Sequence, residues 1–212
     1  LAAVRALTAA GVVVSLGHTD ATATEVRAAV DAGARAVTHA WNAMRPLHHR
    51  EPGPLGVALT DDRLTVGLIA DGVHVADDVL RLTLDRAGGR VALVTDATAA
   101  SGGPEGTSSL AGVPVTVRAG EVRNADGALA GSATTLDACV RHVVGLGTPP
   151  AEAVAAASRV PARLLGDDTR GSLGAGARAD LVLLDDELEV RAVVIGGRVV
   201  VDHDGRFAAV PA

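Results

Sequence analysis

Short, nearly continuous apolar runs alternate with stretches of helical spacing through the first half of the chain. The runs fall at residues 12–16, 34–38, 65–70 and 91–95. Before and between them, residues 2–10, 22–32 and 75–87 place apolar positions three and four apart among Ala, Leu, Arg and Asp, the period and composition of amphipathic helices. A strand that is apolar at almost every position has both faces covered, as in a parallel sheet flanked by helices. The pattern therefore predicts an α/β fold assembled from βα units.

Beyond Gly102 the pattern changes. Residues 113–117 and 121–123 read as a β-hairpin around Ala119-Gly120, and residues 134–144, 151–157 and 161–165 read as helices. From Gly171 onward, Gly-rich turns separate residues 180–184, 192–195 and 198–201, which alternate like an antiparallel sheet. The expected organisation is one unit over 1–168 and a smaller β unit over 169–212, with a soft boundary near Asp168.

Composition narrows the chemistry. Hydrophobic residues make up 48% of the 212 but aromatics only 1%, so the core has to be built from Val, Leu, Ala and Ile. All 19 basic residues are Arg, which excludes a Schiff-base lysine from this chain. A net charge of -6 without a basic run argues against nucleic acid or an anionic membrane as partner. The one cysteine, Cys139, forbids an intrachain disulfide and suits a reducing compartment, so a cytoplasmic location is expected. No apolar run reaches the roughly 18 residues of a membrane span. Leu1 stands inside a helical pattern where an initiator Met would be expected, which reads as a truncated frame or a fragment.

Candidate chemistry lies where the apolar runs end. They finish at Gly17-His18, at His39, at Asp71-Gly72-Val73-His74 and at Asp96. In a parallel α/β barrel the strand C-termini share one face, so these side chains would converge on a common mouth. Two His on neighbouring strands form a plausible metal pair, and an Asp on a later strand is placed to accept a proton from water. Each residue also has a plainer reading: a lone strand-end His is commonly a satisfied structural residue, and Asp71 before Gly72 suits a turn. His48, His49, His142 and His203 read as solvated surface residues, and Cys139 as core. The Gly-rich stretch 99–106 lacks a following Lys and reads as a flexible lid or turn, not a phosphate loop.

Several motifs together carry a resemblance. GHTDAT at 17–22, THAWNAM at 38–44, REPG at 50–53, LIADGVHV at 68–75, LVTDATAASG at 93–102 and LAGSATTLD at 129–137 stand in the order and spacing of the N-acetylglucosamine-6-phosphate deacetylases of the amidohydrolase superfamily. VPARLLG at 160–166 and GSLGAGARADLVLLD at 171–185 are similar to the tail shared by many amidohydrolases. The resemblance implies the last four βα units of an eight-stranded TIM barrel, followed by C-terminal strands of a small flanking β-sandwich. It implies His18 and His39 as metal ligands and Asp96 as the catalytic acid-base. Substrate contacts would come from Asn42, Ala43, Arg50, Asp71, Gly72, Val73, His74, Leu129, Ala130 and Gly131. Arg50 suits phosphate, since its planar fork is always charged and meets two oxygens at once. Trp41 and Met44 read as packing residues of the same loop, and His48 and His49 receive no task.

The implied cofactor is one divalent metal ion, zinc first, with iron or another divalent metal as alternatives. The implied partner is a small amino-sugar phosphate, and the implied assembly a homodimer with the Arg50 loop near the other subunit's site. Such barrels complete their metal site with a glutamate from an earlier strand, and this chain contains no such strand. Three functions stay open at this point: deacetylation by a longer protein, a non-catalytic half-barrel, and an amidohydrolase acting on another N-acyl sugar, a cyclic amide or an aminopurine.

Overall fold

The structure is a computed structural model and describes residues 1–207, so residues 208–212 of the expected second unit lie outside the described residues. The first half runs α1 (Ala2–Ala9), β1 (Ser15–Leu16), α2 (Ala23–Asp31), β2 (Ala36–Val37), α3 (Gly53–Thr60), β3 (Thr65–Ile69), α4 (Asp77–Ala87) and β4 (Val91–Val94). The four strands form a parallel sheet in the order β1-β2-β3-β4, with Leu16 opposite Val37, Val37 opposite Val66 and Val66 opposite Val91. Sequence neighbours are thus sheet neighbours, and the chain is α/β as its pattern predicts.

The core lies between this sheet and the helices outside it. Val66, Leu68 and Ala70, two apart along β3 and beyond, meet Val91 and Leu93 of β4 in one cluster. Helices contribute Val26 and Val30 from α2, Leu55 and Leu59 from α3 and Leu80 from α4. Leu64, Leu68 and Leu80 are 0% exposed, and burying each such side chain contributes roughly 1.5 to 3 kcal/mol. Thr22 caps α2 by accepting the Glu25 amide proton while Glu25 accepts from the Thr22 amide, a capping box set by the last residue of GHTDAT and the Glu three positions on.

Two differences from the sequence pattern have plain causes. Helix α3 shows no helical period because Gly53, Pro54, Leu55, Val57, Ala58 and Leu59 are all buried, leaving no polar face to mark the repeat. The run at 12–16 contributes only Ser15 and Leu16 to the sheet, and Val12 and Val13 stay 47% and 37% exposed.

After β4 the chain makes a four-stranded antiparallel meander, β5 (Gly106–Leu110), β6 (Val113–Arg118), β7 (Glu121–Asn124) and β8 (Leu129–Ser132), in that order. The expected hairpin is its centre, flanked by two strands that the pattern hides. In β5, GTSSL has no apolar alternation and is exposed except at Ser108, and the stretch expected to be a lid or turn ends at its first residue. A small core of Ala100, Val115, Val117 and Val122 fills the meander. Helices α5 (Leu136–Gly145), α6 (Pro150–Ala157) and α7 (Arg159–Leu164) follow close to their expected positions. Finally β9 (Leu181–Leu184), β10 (Val190–Ile195) and β11 (Arg198–Asp202) form a separate antiparallel sheet ordered β11-β10-β9. No helix among the described residues is long and apolar enough to cross a membrane.

Candidate active site

Three of the four strands of the parallel sheet end in the same unusual backbone. His18 after β1, His39 after β2 and Asp96 after β4 have φ of 42°, 30° and 50°. A left-handed residue other than Gly costs roughly 1 to 2 kcal/mol, so each of these ends stores strain that the surrounding structure has to outweigh. Gly67 on β3 is part of that surrounding. A Cβ there would stand 2.9 Å from the Val37 carbonyl oxygen and 3.3 Å from the His39 nitrogen, so only Gly lets β2 close on β3 at this level. The Ala40 amide then donates to the Gly67 carbonyl at 2.7 Å, fixing the backbone just past His39.

The two imidazoles meet edge to face, with Nε2 of His18 3.0 Å from Nε2 of His39. At this distance either ring can donate its Nε2 proton to the other's lone pair, and with both protons moved to Nδ1 the two facing lone pairs become a fitting half-set of nitrogen ligands for a borderline metal such as zinc. His39 is 8% exposed and its Nδ1 is buried without a hydrogen-bond partner among the described residues. The set goes no further: among the described residues, no three His, Cys, Asp or Glu side chains lie together as a metal-holding group. His39 and Asp96 border one cavity of about 340 Å³ on the sheet, lined also by Thr38, Thr65, Gly67 and Leu164.

Asp96 is held from a distant part of the sequence. The Ser132 amide donates to the Asp96 carbonyl at 2.8 Å, and the Thr98 amide donates to the Ser132 carbonyl at 3.0 Å. Strand β8 approaches so closely that a Cβ at Gly131 would lie 2.7 Å from the Asp96 carbonyl oxygen and 2.6 Å from Thr98 Cγ2. Gly131 also has φ 73°, so both space and conformation require glycine. The expected substrate segment Leu129, Ala130 and Gly131 is therefore beside Asp96.

At the end of β3, Asp71 performs two tasks. Its Oδ1 accepts the Val73 and His74 amide protons, both at 2.9 Å, while its Oδ2 lies 2.7 Å from His74 Nδ1. Both side chains are nearly buried, at 6% and 5% exposure. Burial alone would push the Asp71 carboxyl up, but the bonds from the His74 ring and from the His74 and Val73 amides outweigh it and lower the pKa from 3.8 to about 2. An ionised carboxylate only accepts, so the Nδ1 of His74 carries the proton in this pair. The turn is backed by His142, expected to be a solvated surface residue. Its Nε2 lies 2.9 Å from Asp77 Oδ1, and a Cβ at Gly72 would meet its ring at 3.2 Å.

The loop from Thr38 to Gly53 carries the remaining candidates. His39, Trp41 and Ala43 are left-handed, at 30°, 79° and 50°. Asn42 closes the turn by donating from Nδ2 to the carbonyls of His39 and Ala40, each at 3.3 Å. Trp41 donates from Nε1 to Thr83 Oγ1 of α4 at 2.9 Å. Arg45 pairs with Asp20 at 2.9 Å, and Glu51 accepts from the amides of Ala23 at 2.7 Å and Gly53 at 3.1 Å, which hold its carboxyl below the usual range. Arg50 is exposed, as are His48 and His49, whose rings lie 4.2 Å apart. No hydrogen bond or ion pair among the described residues links Arg50 to His18, His39 or Asp96. Sequence reasoning missed Thr83, Glu51 and Ser132; of these Glu51, inside REPG, and Ser132, inside LAGSATTLD, stood in motifs that drew attention to their neighbourhoods, and Thr83 in none.

The profile of the amidohydrolase family matches residues 2–200. The chain is 48% identical over 200 residues to the N-acetylgalactosamine-6-phosphate deacetylase of Escherichia coli O157:H7, covering 93% of this chain and 53% of that one. It is 43% identical over 206 residues to the N-acetylglucosamine-6-phosphate deacetylase of Bos taurus, covering 93% and 50%. Among solved structures, a mutant N-acetyl-D-glucosamine-6-phosphate deacetylase from Mycobacterium smegmatis in complex with N-acetyl-D-glucosamine-6-phosphate superposes with a TM-score of 0.90 at 45% identity, over 94% of this chain and 54% of that one. The chain spans about half the length of these relatives. With a profile match over nearly its full length, the chain belongs to the amidohydrolase family.

Proposed function

We propose that this chain supplies the later half of an enzyme that hydrolyses the acetamide of N-acetylglucosamine 6-phosphate to acetate and glucosamine 6-phosphate. The observation that carries this reading is the meeting of His18 and His39 at 3.0 Å on neighbouring strand ends, with His39 and Asp96 bordering one cavity. In this reading residues 1–168 are the last four βα units of an eight-stranded barrel, and residues 169–212 supply strands of a flanking β-sandwich. The open order β1-β2-β3-β4 leaves β1 and β4 free for further parallel neighbours, which supports the barrel assignment. The full-length protein is a cytoplasmic homodimer in the same reading.

His18 and His39 would hold a divalent ion, zinc first, with iron or another divalent metal as alternatives; when bound, it supplies a Lewis acid beside the scissile carbonyl. Asp96 takes a proton from the attacking water as its oxygen adds to the carbonyl carbon. It then delivers that proton to the nitrogen as the C–N bond breaks and acetate departs. The Asp71–His74 turn, with Gly72 and Val73 between, together with Asn42, Ala43 and the Leu129-Ala130-Gly131 strand, orients the sugar. Arg50 holds the phosphate.

The 48% identity to a galactosamine-type deacetylase favours a second reading, in which the substrate is the C4 epimer, N-acetylgalactosamine 6-phosphate. Both readings are tested in the full-length protein with the two epimers and with unphosphorylated N-acetylglucosamine. A charge-assisted bond contributes roughly 1.5 to 3 kcal/mol, so Arg50→Ala should lower kcat/KM for the phosphorylated substrate by about 10- to 150-fold and leave the unphosphorylated sugar nearly unchanged. Equal losses on both would remove Arg50 from phosphate binding. The ratio of kcat/KM between the epimers decides the sugar.

A further inference from the structure

The one tryptophan of the chain stands between two residues of the site, and its indole leaves the loop to bond a helix behind it. We propose that Thr83 of α4 is a positioning residue: through Trp41 it fixes the turn that presents Asn42 and Ala43 to the sugar. This rests on reading Asn42 and Ala43 as sugar contacts.

Thr83 is 0% exposed, one of few polar side chains buried among the described residues. A buried hydroxyl is costly unless its hydrogen-bonding capacity is used. Its proton goes to the Val79 carbonyl at 2.7 Å, one helical turn back, a bond that does little for an α-helix already bonded there. What the hydroxyl adds is an acceptor, and the group that uses it is the Trp41 indole N–H at 2.9 Å.

The turn needs an external hold. Trp41 sits at φ 79°, a conformation that an aromatic residue adopts only under constraint, with left-handed His39 and Ala43 two positions to either side. Inside the turn, the Asn42 amide donates to the His39 carbonyl at 3.1 Å, and the Asn42 side chain reaches the His39 and Ala40 carbonyls at 3.3 Å, near the long limit for such bonds. The shorter ties leave the turn: Ala40 to Gly67 at 2.7 Å on the His39 side, Trp41 to Thr83 at 2.9 Å beside Asn42, and Arg45 to Thr19 at 3.0 Å beyond Ala43. Trp41 also packs against the main core, so the indole is gripped by its ring and by its nitrogen together. Without the Thr83 acceptor the ring keeps its packing but loses its orientation, and Asn42 and Ala43 move with it. Asp96, just past β4 and held by β8, is untouched. Substrate binding should suffer and the proton-transfer step should not.

The test uses the full-length protein with Thr83→Val, which keeps the shape and removes the acceptor, and Thr83→Ser, which restores it. Two readings are taken: KM against kcat on N-acetylglucosamine 6-phosphate and on its C4 epimer, and fluorescence emission with acrylamide quenching, using Trp41→Phe as the blank that isolates this indole. A neutral hydrogen bond is worth about 2- to 10-fold, so Thr83→Val should raise KM by that factor with kcat within about 2-fold, and shift Trp41 emission to the red with stronger quenching. Thr83→Ser should return both to wild type. The proposal is overturned if Thr83→Val leaves emission and quenching unchanged, if KM stays at the wild-type value, or if Thr83→Ser is as impaired as Thr83→Val. Should the unaltered protein hydrolyse neither sugar phosphate, the proposed function fails by itself, and the emission contrast between Val and Ser alone decides whether Thr83 holds the turn.

Discussion

Exchanging Asp71 for Asn changes one charge and almost no volume, and its consequences can be worked out from the pair it forms with His74. In the folded protein the carboxyl titrates at about 2 instead of 3.8, and its side chain is only 6% exposed, so solvent screens the pair little. Each tenfold step in proton affinity corresponds to about 1.4 kcal/mol, which makes the ionised form of Asp71 a contributor of roughly 2 kcal/mol. The folded value lies below the unfolded one. The contribution is therefore complete above pH 3.8 and is lost as the pH falls from there toward about 2. Asn can still accept the Val73 and His74 amides through its carbonyl oxygen, but its NH₂ cannot accept the His74 Nδ1 proton. His74 then either loses its partner or moves its proton to Nε2. Urea unfolding of both proteins between about pH 7 and pH 2.5 reads the difference directly. The variant should be about 2 kcal/mol less stable at neutral pH, and the gap should narrow to about a third of that by about pH 2.5. A gap that is absent at neutral pH, or that stays constant down to the lowest pH, would refute the assignment of the carboxylate as ionised and bonded.

Other expectations concern the strand ends. In the full-length protein His18→Ala or His39→Ala should strip most of the bound metal, measured by elemental analysis after dialysis. Asp96→Asn should keep the metal while turnover falls about 10²-fold or more; activity within a few-fold of wild type would put the base elsewhere, with His74 the next candidate. Gly131→Ala sets a Cβ 2.7 Å from the Asp96 carbonyl oxygen at φ 73°, so it should cost about 1 to 3 kcal/mol in unfolding free energy and reduce turnover as Asp96 is displaced. Unchanged stability and turnover would mean that β8 yields without moving Asp96.

How much of this was legible in the chain depended on whether a residue's task is local. The βα alternation was visible because Val66, Leu68, Val91 and Leu93 face helices and their neighbours are covered as well, leaving continuous apolar runs. His18, His39, Asp71 and Asp96 stood out because each ends such a run. Helix α3 was invisible for the opposite reason: it is buried nearly all round, and periodicity needs a wet side. The partners of the site were hidden by sequence distance. Ser132 lies 37 positions from Thr95, whose carbonyl its hydroxyl reaches, and Thr83 lies 42 from Trp41. Nothing local to Thr83 marks it as part of a site, and the motif LAGSATTLD draws attention to Gly131 without showing what the Ser132 hydroxyl reaches. Gly131 could be noticed as a glycine, but only the approach of β8 to Asp96 explains why no other residue fits.

The meander after β4 begins and ends at a single point. Ala97 and Ser132 pair directly, and bonds from Ser132 to Asp96 and from Thr98 to Ser132 seal the two chain segments together. The length of chain between them is thereby uncoupled from the position of Asp96, and closing a loop twice as long costs only about 0.6 kcal/mol more. Strands β5 to β7, packed on their own small core, behave as an interchangeable fitting in a fixed socket. The turns at Ala111-Gly112 and Ala119-Gly120, all four residues left-handed, are the natural places to splice in an affinity handle or a fluorescent reporter. A graft there would leave intact the socket that fixes the backbone of Asp96.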